Sequence, residues 1–215
     1  MVSKRGLGAG LIKDFEKIDN ILNKVFSESD INISIKIRLG NENKEEIFNV
    51  LPIIDKYPIK NITIHPRIGK QKYKGEIDLE SFKNCIENTN HKIIYNGNIF
   101  SVKNFKELAE RFPTINTWMI GRGIFANPFL PEMIKDNKTD YPENKLEIFK
   151  KFHDTLFNDY QQALSGPSHI IIKMYSLWEY FIFLFPNSKK GLKKIKKAKN
   201  IEAFQNAVNI ILNNE

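Results

Sequence analysis

Asn61-Ile-Thr-Ile-His-Pro-Arg67, set beside Ile33-Ser-Ile-Lys-Ile-Arg-Leu39, decides the fold class. Each is a short β-branched run that ends in a polar turn, and each has a neighbouring stretch with apolar residues at spacings of three and four. Two further runs follow, Lys92-Ile-Ile-Tyr-Asn96 and Asn116-Thr-Trp-Met-Ile120. Between and before the runs lie helical stripes, Phe15, Ile18, Ile21, Leu22 and Val25 in one and Ile47, Val50, Leu51 and Ile54 in another. Asn43 with Glu46 has the spacing of a capping box, and Asp78 and Ser101 are expected as N-caps of the next two helices. Alternating strands and helices predict parallel βα units. The steps from Lys36 to His65, Asn96 and Gly121 are 29, 31 and 25 residues, one unit each. Polar residues at the C-terminal ends of successive parallel strands are where a (β/α)8 barrel keeps its site. A doubly wound sheet is the alternative, but the chain carries no G-x-G-x-x-G.

The chain's 215 residues, 41% of them hydrophobic, are enough for a real core. Lys and Arg outnumber Asp and Glu by 33 to 25, a net charge of +8, which suits an anionic partner, nucleic acid first. One cysteine, Cys85, excludes an internal disulfide and a cysteine-only zinc site, no metal site is expected, and the reading is cytoplasmic. The first twelve residues lack the apolar core of a secretory signal. The apolar run His169–Phe185 is broken by Lys173 and Glu179, which predicts a buried amphipathic helix and no membrane span.

Beyond Pro128 the strand signal stops. Helices are expected near Pro142–Leu164, Ser168–Phe185 and Asn200–Asn213, the first with a stripe of Leu146, Phe149, Phe152, Leu156 and Phe157. This divides the chain into an α/β unit over 1–139 and an all-helical unit over 140–215. The last 75 residues hold eleven lysines, no arginine and seven acids, with Lys189, Lys190, Lys193, Lys194, Lys196, Lys197 and Lys199 in one acid-free run. Such a run is a solvated face or a phosphate-contacting surface.

Two turns, Asn96-Gly97-Asn98 and Gly121-Arg122-Gly123, stand one βα unit apart. Glycine lets backbone approach an anion, and arginine adds a bidentate contact, so the pair favours a phosphate over two ordinary βα turns. Lys36 shares a strand face with Ser34 and Arg38, which places charge in a barrel mouth or on the solvated face of an edge strand. His65 reads as a site residue or a satisfied core histidine, and Arg67 as a site residue or a solvated loop residue.

The ordered series Lys36-Ile-Arg-Leu-Gly40, His65-Pro-Arg67, Gln71-Lys-Tyr-Lys-Gly75, Asn96-Gly-Asn98 and Met119-Ile-Gly-Arg-Gly123, followed by Asn127-Pro128, resembles the tRNA-dihydrouridine synthase family. The opening Lys4-Arg-Gly-Leu-Gly-Ala-Gly10 is also similar to the segment that follows that family's active-site Gly-Cys-Pro loop. The resemblance implies FMN, reduced by NADPH or NADH, and reduction of the C5–C6 bond of a uridine in tRNA. It places Lys36 and His65 beside the flavin and assigns Asn96, Gly97, Asn98, Gly121 and Arg122 to its phosphate. Arg67 would reach the substrate strand or the flavin rim, and Lys193, Lys194, Lys196 and Lys197 would contact tRNA.

Three positions depart from the family pattern. Asn98 replaces the usual Asp, Pro66 replaces a frequent Gly, and the Gly-Cys-Pro loop, whose cysteine protonates uracil, is expected upstream of Met1. Cys85, between Phe82 and Ile86 on a helix, is expected to be a small buried hydrophobe. The expected architecture is therefore the C-terminal half of a (β/α)8 TIM barrel followed by an all-helical domain, truncated and inactive alone. Self-association or a separate N-terminal half would complete it. The alternatives are a non-catalytic RNA-binding remnant and another FMN barrel oxidoreductase of the dihydroorotate dehydrogenase type.

Overall fold

The structure, a computed structural model, describes residues 6–214. Lys4 and Arg5 of the opening motif lie outside the described residues. The chain divides into two compact units, one comprising residues up to Ile99 together with Lys106–Gly121, the other Phe100–Phe105 together with Arg122 onward.

The first unit is α/β. After helix α1 (Phe15–Glu28) come strand β1 (Ser34–Gly40), α2 (Glu46–Ile54), β2 (Asn61–Ile68), α3 (Leu79–Glu87) and β3 (Ile93–Tyr95). Helix α4 (Val102–Arg111) begins with the second unit's residues and ends with the first's. The strands form a parallel sheet in the order β1-β2-β3, with Lys36 opposite Thr63, Arg38 opposite His65 and Ile64 opposite Tyr95. Because side chains alternate along a strand, Ile62, Ile64, Ile93 and Tyr95 share the face that is covered by helices, and all are buried. Phe82 of α3 meets the Tyr95 ring edge-on at 4.9 Å. Ile47, Val50, Leu51 and Ile54 of α2 are fully buried, each worth roughly 1.5–3 kcal/mol of apolar burial.

The expected caps form. Asp78 accepts from the Ser81 N–H at 2.8 Å and Ser101 from the Asn104 N–H at 3.1 Å. The box ahead of α2 forms only in half: the Asn43 N–H donates to Glu46 at 3.1 Å, but Asn43 Oδ1 accepts from the Glu45 N–H at 3.1 Å instead of from Glu46, and the helix proper starts only at Glu46.

The strands differ from expectation in two ways. β2 runs on to Ile68, with Pro66 inside it; β3 pairs only with Ile62–Ile64, so the missing N–H of Pro66 breaks no ladder. The expected fourth strand, Asn116–Ile120, is reduced to a bridge between Trp118 and Tyr95. The Tyr95 N–H donates to the Thr117 carbonyl at 3.3 Å and the Met119 N–H to the Tyr95 carbonyl at 2.8 Å. With a three-residue neighbour on one side, and no strand on the other among the described residues, the segment has no ladder to extend.

The second unit is helical. It contains α5 (Arg122–Ala126), α6 (Leu130–Lys135), α7 (Lys145–Ala163), α8 (Pro167–Phe181), α9 (Lys189–Lys197) and α10 (Ile201–Leu212). Its core is aromatic: Phe149, Phe157, Trp178, Phe181, Phe185 and Phe204 are all buried. Phe152 and Leu146 of the expected α7 stripe turn outward. α8 ends earlier than the apolar run suggested and continues as a 3-10 turn, Ile182–Leu184, that leaves Phe183 exposed. Among the described residues no helix is long and apolar enough to cross a membrane.

Candidate functional site

The sheet face opposite the helices carries Lys36 and Arg38 from β1 and Thr63, His65 and Arg67 from β2. Arg67 is 2% exposed, and its position on a strand rather than in a solvated loop follows from the extension of β2. Both terminal nitrogens of its guanidinium bond within the protein. Nη1 donates to Asn98 Oδ1 at 3.2 Å and lies 3.3 Å from His65 Nε2, while Nη2 donates to the Gly75 carbonyl at 2.8 Å. A guanidinium has only donors, so His65 Nε2 accepts and the ring proton sits on Nδ1. Lys36 is exposed, yet partial desolvation, with Arg38 adding like-charge repulsion, holds its ammonium below the usual lysine range.

Two residues of this face had motif context but no assigned part. Arg38 donates to the carbonyls of Ile68 at 3.0 Å and Lys72 at 2.9 Å, and its guanidinium lies 5.6 Å from the centre of the Tyr73 ring. Tyr73 in turn stacks on His65 at 6.2 Å and remains 58% exposed. The Gln71–Gly75 loop that presents it turns at Lys72 and Gly75, both at positive φ, and is tied back by the Ile68 N–H donating to Gln71 Oε1 at 2.8 Å. The signal was the motif Gln71-Lys-Tyr-Lys-Gly75; its contact with Arg38, 34 residues before Lys72, was invisible in it.

The turn after β3 is built tightly. Asn96 donates its amide to the Met119 carbonyl at 2.7 Å, binding this turn to the segment that leads to Gly121. Asn98 adopts a left-handed φ of 39°, which asparagine tolerates better than most residues, and offers its side chain to Arg67. At Gly97 a Cβ would lie 3.1 Å from the Tyr95 hydroxyl, so the backbone there accepts no side chain without displacement. At Gly121 no atom lies within 4 Å of where a side chain would start, which leaves its backbone open to a ligand. Arg122 begins the helical unit, its guanidinium 5.5 Å from the Phe100 ring centre.

A cavity of about 400 Å³ runs beside β1, lined by Leu11, Ile18, Ile21, Ile35 and Ile37 together with Lys36 and Arg38. Its lining is mostly apolar, and the other hydrogen-bonding groups of the site sit on β2 and the following turns. Within the first unit, Lys36, His65 and Asn96 bring no carboxylate, and with the open backbone at Gly121 they fit an anionic phosphate-bearing cofactor such as FMN.

Cys85 is fully buried on α3, and burial pushes its thiol up to about 12, so it supplies no proton to a ligand. In the helical unit, Lys193, Lys194, Lys196 and Lys197 are all exposed on α9, while Gly191 and Ile195 pack inward. Among the described residues no group of three His, Cys, Asp or Glu side chains is placed to hold a metal.

Comparison with known proteins addresses the same residues as one chain. The probable tRNA-dihydrouridine synthase of Staphylococcus aureus (strain Mu50) is 32% identical over 166 residues, 75% of this chain and 49% of that protein. The tRNA-dihydrouridine(16) synthase of Vibrio parahaemolyticus is 31% identical over 142 residues, 65% of this chain and 44% of that one. tRNA-dihydrouridine synthase B of Pasteurella multocida is 28% identical over 130 residues, 60% and 39% of the two chains. The chain thus matches about half the length of these relatives or somewhat less. The dihydrouridine synthase family model matches residues 1–209, a span that takes in the β-strand face, both glycine turns and the lysine helix, and on that match the chain belongs to the dihydrouridine synthase family.

Proposed function

We propose that this chain is the flavin- and tRNA-binding part of a tRNA-dihydrouridine synthase. The observation that carries the reading is the carboxylate-free strand face, on which Arg67 joins His65 to Asn98 and β1 presents Lys36. When bound, FMN reduced by NADPH or NADH would supply hydride for C6 of a tRNA uracil. Lys36, exposed on β1, offers its ammonium to an anion placed beside it. His65 presents an Nδ1–H donor that Arg67 fixes in place, so Arg67 orients the site from beneath. Asn96, Gly97, Asn98 and Gly121 take the phosphate. Tyr73, exposed above His65, is the surface a substrate base meets.

On this reading β1, β2, β3 and the Thr117–Met119 segment are successive strands of a (β/α)8 barrel, residues 1–139 form its catalytic unit, and 140–215 a tRNA-binding helical unit working in the cytoplasm. Lys193, Lys194, Lys196 and Lys197 contact phosphates of the tRNA backbone. Protonation of uracil C5 needs an acid that Cys85 is not, and a positioned acid of this kind is worth about 10²–10⁴-fold.

The purified 215-residue chain, titrated with FMN and separately with unmodified tRNA, is expected to bind both. Incubated with FMN, NADPH and tRNA, it is expected to leave uridine unreduced when the digested nucleosides are weighed. Failure to bind FMN sinks the flavin assignment. Uridine gaining two hydrogens at an enzymatic rate shows instead that these residues do hold an acid.

A further inference from the structure

The cavity beside β1 follows an edge of the sheet. Ile35, Lys36, Ile37 and Arg38, consecutive on the strand, all line it, whereas a hollow over one face would touch only every second residue. Its opposite wall is Ile18, Ile21 and Leu22 of α1. Of the apolar stripe of α1 only Leu22 is buried, and Phe15 and Ile21 stay exposed. Among the described residues β1 pairs with β2 alone. The Ile62 N–H donates to the Lys92 carbonyl and the Asn96 N–H to the Ile64 carbonyl, which leaves Asn61, Thr63 and His65 to bond β1. The register then commits the backbone of Ile35 and Ile37 to β2 and turns the N–H and C=O of Lys36 outward. An outward backbone rung between apolar walls is a seat for one more strand.

Charge decides which strand fits. Antiparallel pairing with β1 of a second copy, centred on Ile37, would set Lys36 opposite Arg38; centred on Lys36, it would set two lysines against each other. The segment 116–120 at the other edge of the same sheet carries no charge. It runs parallel to β3 through the bridge of Trp118 to Tyr95, with no strand beyond it among the described residues. Trp118 therefore shares the helix-covered face with Ile35 and Ile37, and Met119 stands on the face of Lys36 and Arg38.

We propose that two copies of this chain pair head to tail, the segment 116–120 of each entering the β1 groove of the other. Two such junctions join eight parallel strand positions, the number at which a (β/α)8 barrel closes, so the contact ends at a pair instead of growing into a filament. The count rests on the barrel reading of the four segments given above.

The test is sedimentation equilibrium of the full chain from micromolar concentration upward, with FMN titration of the same samples. A reversible dimer is expected. Ile21→Glu places a charge in the groove and should leave the chain monomeric, with parent circular dichroism because Ile21 is exposed in the single chain. Met119→Lys sets a cation beside Lys36 and Arg38 of the other copy and should weaken the dimer about two- to thirtyfold, since each of the two junctions carries one such pair. Met119→Glu should pair at least as tightly as the parent. A dimer indifferent to Ile21→Glu or to the sign of charge at Met119, or a mass that climbs past two chains, overturns the proposal. So does a monomer at every concentration, which would leave the groove to a strand of another protein. FMN binding by a monomeric chain lets the synthase reading stand while the pairing falls; a dimer that obeys the charge test but takes no FMN does the reverse.

Discussion

The guanidinium of Arg67 lies 3.3 Å from Nε2 of His65, two residues earlier on the same strand, and both side chains are buried. Same-face residues of a strand ordinarily stand side by side without bonding; here Arg67 also holds Gly75 and Asn98, so one side chain ties β2 to two loops. Arg67→Leu would leave the Gly75 carbonyl and the Asn98 amide oxygen without their donor. The expected loss is about 2–3 kcal/mol of unfolding free energy, read as a lower urea midpoint at an unchanged slope. A midpoint within error of the parent would show that these bonds contribute nothing net.

Helix α9 rests on α10 through Gly191, where any side chain would collide with Ile211. Gly191→Ala is therefore expected to destabilise by about 1–3 kcal/mol, despite alanine's better helix propensity. Pairing it with Ile211→Ala should recover part of the loss relative to the sum of the two single variants. Strict additivity in thermal unfolding would mean that the two helices do not meet there.

The four lysines Lys193, Lys194, Lys196 and Lys197 project to solvent from one short helix. Replacing all four with glutamine should lower the slope of log affinity for tRNA against log salt by roughly 0.7–0.9 for each lysine in phosphate contact. Filter binding from 50 to 300 mM salt, with circular dichroism as a check on folding, measures it; an unaltered slope makes this a merely solvated face.

His153 sits 3% exposed among Phe149, Phe157 and Phe204, its Nε2 accepting from the Trp178 indole N–H at 3.2 Å. Burial lowers its pKa below the usual histidine value, partly opposed by Asp154. The unfolded chain then binds the proton more readily, so this contribution to stability is complete above about pH 6.5 and declines as pH falls toward the folded-state pKa. His153→Phe removes the titration and leaves Trp178 without its acceptor. The variant should melt lower than the parent at pH 7.5 yet lose less on acidification to pH 5; parallel profiles for the two proteins would contradict the assignment.

Cys85, with a thiol pushed up to about 12 and no exposed surface, should resist a thiol reagent such as dithiobis-nitrobenzoate at pH 8 in the native chain and react fully in urea. Rapid native labelling would place it outside the core.

Much of the site was legible because strand periodicity and turn chemistry are local properties. Ile33–Leu39 alternates with period two, so the shared face of Ser34, Lys36 and Arg38 followed directly from spacing, whereas the register that sets Arg38 opposite His65 did not. The caps at Asp78 and Ser101 depend on bonds only three residues long. The stripe of α2 had one apolar side and therefore one way to pack. The fate of Asn116–Ile120 was not legible, since β-branched residues make a ladder only where a long enough neighbour is available, and β3 is three residues long. Nor could spacing show that Arg67 is buried and engaged, that Tyr73 closes on His65, or that Arg122 rests on Phe100. Those pairings join segments from 2 to 35 residues apart through side-chain direction, loop curvature and register, and such quantities exist only once the chain has folded on itself.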